Sequence, residues 1–432
     1  MDTLAINGGT PVRTKRWAPW PYFAEDEVSA ATEVLNSGKV NYWTGENHEV
    51  TGQAVRGKCG EFEQRFSEYI NCKYSISVAN GTLALELCLK ALGIGSGEEV
   101  IVPSRTFIAT ASACVAQGAK PVFADIEVES QCISLSSIRE KLTSKTKAII
   151  CVHLAGWACE MDEILKFAKE NDLKVIEDCA QSLGGKYDGK MLGTFGDMSA
   201  FSFCQDKILT TGGEGGMVST NDSELYLKAW EYKDHGKNFH FFNKSVGGEL
   251  VDSSKAEEFG MYSSIGTNFR MTEMQAAIGI KQLEKLPLWI ETRQKYAQML
   301  HEGLSGIAGI KLYQPSEKIH HACYKFYAFI DTEFLSDDWT REKIVSAISA
   351  EGVVCQLGST WAIGKESGWG RVLINGKRED IQLKECFPND YRLGTTALMF
   401  QVHPTLDEES ISDTIKAAKK VFSFALSHNN FS

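Results

Sequence analysis

One lysine in a glycine-rich turn is the residue in this sequence best placed to do chemistry. Lys207 lies in the run Phe201-Ser202-Phe203-Cys204-Gln205-Asp206-Lys207-Ile208-Leu209-Thr210-Thr211-Gly212-Gly213-Glu214-Gly215-Gly216. There an apolar strand, Met198 to Phe203, gives way to a polar turn, and four glycines keep side chains out of the space around it. Glycine lets backbone N–H groups approach an anion or a flat ring, and a lysine walled in by apolar residues loses hydration, so its amine becomes neutral and nucleophilic more readily. An imine-forming lysine needs that environment. A surface lysine in a glycine-rich loop is the plain alternative, and the rest of the chain must decide between them.

Three further positions bear on that choice. Asn80-Gly81-Thr82 follows an apolar run, Tyr74 to Ala79, and opens a helical one; free N–H groups, a hydroxyl and the positive helix end there suit a phosphate, or else Thr82 is a simple cap. Phe107, in Pro103-Ser104-Arg105-Thr106-Phe107, is either core or a face for a flat ring. Asp178 ends the run Lys174 to Glu177 among Val175, Ile176 and Ala180, and a carboxylate buried there requires something positive opposite. A phosphate cradle, an aromatic slab, a buried acid and an imine-forming lysine are together what pyridoxal 5'-phosphate needs. At an effective dielectric of about 20, opposite charges about 4 Å apart attract by about 4 kcal/mol, roughly three pK units, enough to hold a pyridinium protonated.

These groups fall at the ends of apolar strands that alternate with helices: strands Tyr74–Ala79, Glu99–Val102, Pro121–Ala124, Ala148–Val152, Lys174–Glu177, Ser199–Phe203 and Gly216–Ser219. Short buried strands separated by helices of about ten residues predict an α/β fold whose mostly parallel sheet is covered on both faces and binds ligands at the carboxyl ends of its strands. A long helix from Thr272 should break or kink at Pro287. The pattern then changes, which predicts a large domain over 1–290, with residues 1–25 as an arm, and a smaller C-terminal α/β domain over 291–432. Val40-Asn41-Tyr42-Trp43-Thr44-Gly45 reads as a packed loop or a pocket lining, and Asp234 to Thr267, polar and aperiodic, as a functional or interface segment.

Composition narrows the partners. With 432 residues, 43% hydrophobic and a net charge of -11, the chain can bury a large core and carries no excess of basic residues for nucleic acid. The 12 cysteines form no C-x-x-C pair and sit partly in apolar runs such as Ile150-Cys151-Val152, as in a reducing compartment, and no site for a metal is expected. The N-terminal residues have no signal-peptide pattern and no stretch approaches a membrane span, so a cytoplasmic protein is expected.

The motifs Asn80 to Leu85, Pro103 to Thr110, Glu177 to Gln181, Phe201 to Gly216 and Gly266-Thr267-Asn268-Phe269-Arg270-Met271-Thr272-Glu273-Met274-Gln275-Ala276-Ala277 resemble, in this order and nearly end to end, the DegT/DnrJ/EryC1/StrS sugar aminotransferases. The resemblance implies the aspartate-aminotransferase-like fold, type I among enzymes that use pyridoxal phosphate. It further implies that Lys207 binds the cofactor's aldehyde, Asp178 pairs with the pyridine nitrogen, Gln181 meets the 3-hydroxyl and Phe107 stacks on the ring. Gly81, Thr82 and Ser202 would hold the phosphate, joined by Asn268 from the neighbouring subunit of a homodimer. Lysine at 207, where dehydratases of the family have histidine, implies transamination, with L-glutamate as donor. The chain departs from the family pattern in an extra glycine within 211–216 and in the length of segment 234–267.

Most of the family acts on nucleotide-linked keto-hexoses, but the pairing of Val40–Gly45 with Pro103–Phe107 looks like a branch tied to lipopolysaccharide sugars, including one that makes 8-amino-3,8-dideoxy-manno-octulosonate. Arg105 would then bind a sugar-acid carboxylate, with Tyr42 and Trp43 nearby. Alternatively, Arg105 pairs with a structural acid such as Glu127 or Glu214.

Overall fold

The computed structural model describes residues 3–50, 53–243, 253–358 and 383–426. Seven strands form the main sheet: β1 Tyr74–Val78, β2 Glu99–Pro103, β3 Lys120–Ala124, β4 Thr146–Val152, β5 Lys174–Asp178, β6 Met198–Ser202 and β7 Gly216–Thr220. Their order is β1-β7-β6-β5-β4-β2-β3. All pairings are parallel except those of β7, which runs antiparallel to both β6 and β1. Strands β2 and β7 are buried along their whole length, and their apolar residues, Val100 to Val102 and Met217 with Val218, stand side by side rather than alternating with polar ones. The carboxyl ends of β1, β6, β5, β4 and β2 therefore share one edge, where the first residues of β7 join them.

A second, antiparallel sheet follows: β8 Ile310–Lys311, β9 Phe326–Ile330, β10 Cys355–Gln356 and β11 Ala397–Phe400, in the order β8-β9-β11-β10. It has its own core, in which Leu300, Ile344, Leu398, Val402, Ile411 and Phe422 are buried. The helix Glu273–Leu304 links the two cores and continues through Pro287, contrary to the expected break. Pro287 lies on the exposed face, while Leu283, Leu286 and Ile290 are buried. We place the proposed boundary inside this helix, between Ile290 of the first core and Tyr296 of the second. The N-terminal arm is tied to the second core as well: Leu4 packs in it and Arg13 pairs with Asp413 at 2.9 Å.

Candidate active site

Ser202 ends β6, and the chain turns at once through Cys204 to Lys207, whose N–H donates to the Cys204 carbonyl at 3.1 Å. Two glycines let this turn lie against the start of the helix Gly81–Ala91. A Cβ on Gly81 would lie 2.6 Å from Ser202 Cβ, and one on Gly216 would lie 2.5 Å from the Asn80 carbonyl oxygen. Gly212 and Gly213, at φ +85° and +115°, turn the chain back into β7, so the extra glycine occupies a left-handed position that other residues rarely adopt.

The helix Gly81–Ala91 is capped by Asn80, whose Oδ1 accepts the Leu83 N–H at 3.0 Å. Thr82 is therefore not the cap. Its hydroxyl and the Gly81 and Thr82 N–H groups make no hydrogen bond among the described residues, which leaves donors at a positive helix end beside Ser202.

Asp178, at the end of β5, is buried and accepts Thr110 Oγ1–H at 2.8 Å and the Ala180 N–H at 3.1 Å. Thr110 is in turn 2.7 Å from Thr106 Oγ1. Among the described residues no cation forms an ion pair with Asp178, and burial, only partly offset by those hydrogen bonds and by Lys207, raises its pKa. Gln181 is fixed by its carbonyl, which accepts the Ala155 N–H at 2.8 Å, so its amide nitrogen remains to donate. Phe107 is not a core residue: it is 59% exposed in the turn after β2.

Lys207 Nζ lies 3.8 Å from Asp206 Oδ1 and 5.0 Å from the centre of the Tyr324 ring, and the Lys207 carbonyl accepts Trp20 Nε1–H at 3.0 Å. Burial acts to raise the Asp206 pKa, but Lys207, the Tyr324 hydroxyl and Lys325 outweigh it and keep the carboxylate below its ordinary range. Burial and then Asp206 push the Tyr324 pKa well up, so its hydroxyl stays protonated and donates to Asp206. Trp20, Thr110, Asp206, Tyr324 and Lys325 were not picked out in the sequence. Asp206 had a signal, its position beside Lys207; the others come together only through the fold.

The expected substrate residues are placed otherwise. Arg105 is 1% exposed, with Nη1 3.4 Å from Asp390 Oδ1 and Nε donating to Gln131 Oε1 at 2.9 Å, so it is a buried structural pair and not a free substrate clamp. Its acid is Asp390, far along the sequence, rather than Glu127 or Glu214. Tyr42 is buried, its hydroxyl accepting Trp230 Nε1–H at 3.2 Å, and Trp43 Nε1 donates to Asp234 Oδ2 at 2.7 Å. Both side chains belong to an aromatic cluster with Trp230 and Phe242, and neither contacts Lys207. The loop is the packed one of the two readings. Asn268 is exposed, accepts the Arg270 N–H at 3.2 Å and, among the described residues, makes no hydrogen bond with Gly81, Thr82 or Ser202. Part of segment 234–267 forms two short helices, Phe239–Phe242 and Ser253–Phe259, and residues 244–252 lie outside the described residues.

His153, Glu177 and Cys179 come close enough together to be considered for a metal, but Glu177 is already saturated. It accepts N–H groups from Gly193, Phe195 and Gly196 and lies 3.0 Å from His153 Nε2. The cluster anchors β5 beneath the site.

An uncompensated buried carboxylate, unclaimed donors at a helix start, an exposed aromatic face and a reachable lysine at one sheet edge fit pyridoxal phosphate, and the fold and site together are those of a transferase dependent on that cofactor. Residues 23–416 match the DegT/DnrJ/EryC1/StrS aminotransferase family, and the chain belongs to it. It is 41% identical over 261 residues to GDP-perosamine synthase of Escherichia coli O157:H7, a stretch covering 60% of this chain and 66% of that protein. It is 35% identical over 315 residues to L-glutamine:2-deoxy-scyllo-inosose aminotransferase of Micromonospora echinospora, covering 72% of this chain and 70% of that one. The X-ray structure of the aminotransferase from Psychrobacter cryohalolentis superposes with a TM-score of 0.85 at 41% identity, covering 95% of this chain and 99% of the other.

Proposed function

We propose that this aminotransferase moves the amino group of L-glutamate to the carbonyl of a free sugar acid, 3,8-dideoxy-8-oxo-manno-octulosonate, in lipopolysaccharide biosynthesis. The observation that carries amino transfer is the pairing of Lys207, Nζ 3.8 Å from Asp206, with a buried Asp178 that lacks a cation. When bound, the cofactor supplies an aldehyde for the lysine and a ring that withdraws electrons while its nitrogen is protonated. The protein groups do the rest. Asp178 holds the proton on the ring nitrogen, and Gln181 donates its amide to the ring oxygen. Gly81, Thr82 and Ser202 take the phosphate, and Phe107 covers one face. Lys207 Nζ would hold the cofactor's aldehyde and, once the donor's amine took its place, would be the base that takes the proton from the donor's Cα and the acid that gives it back. The same lysine runs the reverse transfer on the acceptor, so ping-pong kinetics are expected.

What supports the sugar acid is the sequence resemblance to the octulosonate branch, now without Arg105, Tyr42 or Trp43 as its physical basis. A second reading, a nucleotide-linked keto-hexose, draws on the 41% identity to GDP-perosamine synthase. Presenting the pyridoxamine form with both acceptors decides between them: faster return of the yellow colour with the 8-oxo sugar acid supports the first, and much faster return with the nucleotide sugar replaces it. L-glutamate and L-glutamine are compared as donors in the forward half-reaction.

The working unit in this reading is a homodimer with shared sites. Its support is the exposed Asn268 together with Ile265, 93% exposed, Tyr262, Met261 and Phe259 in the same stretch. The twelve cysteines, all free, agree with a cytoplasmic location.

A further inference from the structure

We propose that Lys325 is a specificity residue that binds a substrate carboxylate remote from the carbon undergoing amino transfer, an inference that rests on the reading above and deepens it. A cavity of about 420 Å³ is walled on the main-sheet side by Gln131, Ala155 and Trp157 and on the other by His321, Lys325 and Tyr327. It meets the site at Ala155, whose N–H is held by Gln181. Lys325 supplies the only lysine or arginine charge in this lining, and the only carboxylate there, Glu129, is exposed to solvent.

Lys325 is half-buried, yet its ammonium makes no hydrogen bond or ion pair among the described residues. Its aromatic contact is Tyr324, with Nζ 4.8 Å from the ring centre, and Lys207 Nζ lies 5.0 Å from the same centre. Asp206, the nearby anion, is already engaged by Tyr324 and Lys207. Arg293, buried in the helix Glu273–Leu304, adds positive charge and spends its Nη1 on the Cys323 and Tyr324 carbonyls. Burial, with Arg293 and Lys207 beside it and only Asp206 opposing, pushes the Lys325 pKa down to about 8. A half-buried, unpaired cation destabilises the substrate-free protein, and an incoming carboxylate relieves that cost. Both proposed substrates bring one: L-glutamate its side-chain carboxylate, the octulosonate its acid group. A nucleotide-linked keto-hexose brings no carboxylate, its charge lying on the diphosphate.

The test uses the cofactor-loaded enzyme with Lys325→Met and Lys325→Arg. One arm follows single-turnover bleaching by L-glutamate and by L-norvaline, its neutral counterpart; the other follows recolouring of the pyridoxamine form by the 8-oxo octulosonate and by its carboxamide. Lys325→Met should raise half-saturation about 10- to 100-fold for the acidic member of a pair, leave the neutral member and the limiting rate unchanged, and raise the melting temperature. Lys325→Arg should recover most of the loss. An effect confined to one arm assigns the carboxylate to the donor or to the acceptor, and either supports the proposal. Equal losses for acidic and neutral members, no loss in either arm, or a lowered melting temperature would overturn it. Wild-type enzyme that no amino donor bleaches would overturn the amino-transfer reading itself.

Discussion

At the scale of single residues, the proposed reaction rests on two groups whose surroundings differ sharply. Lys207→Ala removes both the cofactor's attachment and the proton carrier, so turnover should vanish along with the yellow absorption while the far-UV spectrum is unchanged; appreciable activity would refute the assignment. Asp178→Asn keeps the shape and loses the charge. Because no cation pairs with Asp178 among the described residues, the ring nitrogen is its proposed partner, and the variant should lose about 10³-fold or more in rate while still binding the cofactor. Near-wild-type kinetics would rule out the pairing.

Lys325 makes the pH dependence specific in sign. It faces Asp206 and Lys207 from the turn after β6, Arg293 from the long helix, His403 after β11, and Tyr324 next to it; His321 and His403, held neutral by burial with pKa values near 4 and 3, add no charge. Its folded pKa of about 8 lies below its ordinary value of 10.5. The ammonium is therefore charged below pH 8, and the advantage of glutamate over norvaline should be constant there and decline above it, by about tenfold per pH unit. Stability follows the opposite course: the burial penalty is full below pH 8 and is relieved as the pH rises from about 8 toward 10.5. Melting temperatures of wild type and Lys325→Met should thus converge with rising pH. A glutamate preference that is flat from pH 7 to 10 would contradict this.

At the scale of elements, the site depends on how closely a helix start and a strand end approach. Gly81→Ala places a Cβ 2.6 Å from Ser202 Cβ, so the helix must move off β6. The expected result is a marked rise in the cofactor's dissociation constant, read by fluorescence titration, and unchanged affinity would mean that the phosphate is held elsewhere. Arg105 makes the corresponding case for a tertiary tie. Removing it leaves the buried Asp390 without its cation, so Arg105→Ala should cost about 3–5 kcal/mol in denaturant unfolding. Its effect on the acceptor's KM should then follow lost stability rather than the acceptor's charge.

These elements also show what could be read in advance. The main-sheet strands were legible because strands buried on both faces carry short apolar runs between turn signals, and Lys207, Asp178, Gly81, Thr82, Gln181 and Ser202 could be proposed as site residues because each stands at or just after such a strand's end. Arg105, Tyr42 and Trp43 were misread because their partners, Asp390, Trp230 and Asp234, lie from 188 to 285 positions away, and sequence spacing carries no trace of them. The two-residue strands Ile310–Lys311 and Cys355–Gln356 are too short for any period to show, and Lys325 sits in the bend just before β9, where one lysine looks like ordinary surface polarity.

At the scale of the whole molecule, the subunit on its own leaves two features unexplained: an Asn268 not hydrogen-bonded, among the described residues, to the proposed phosphate cradle, and an exposed apolar stretch around it. Asn268 is fixed in direction, bridged to Asp234 and accepting from the Arg270 N–H, while Arg270 itself pairs with the buried Asp234. A side chain held this firmly and facing solvent is suited to a site on a second copy of the chain. Mixing Lys207→Ala subunits with Asn268→Ala subunits tests that arrangement. In a heterodimer, one site combines both defects and the other combines neither, so activity should recover toward one quarter of wild type when subunits exchange at random, or about half per isolated heterodimer. Recovery requires that Lys207 and Asn268 of one site come from different chains. If heterodimers form, as shown by two affinity tags, and the mixture stays inactive, each subunit builds its site alone and the exposed stretch 259–265 must be explained by another partner.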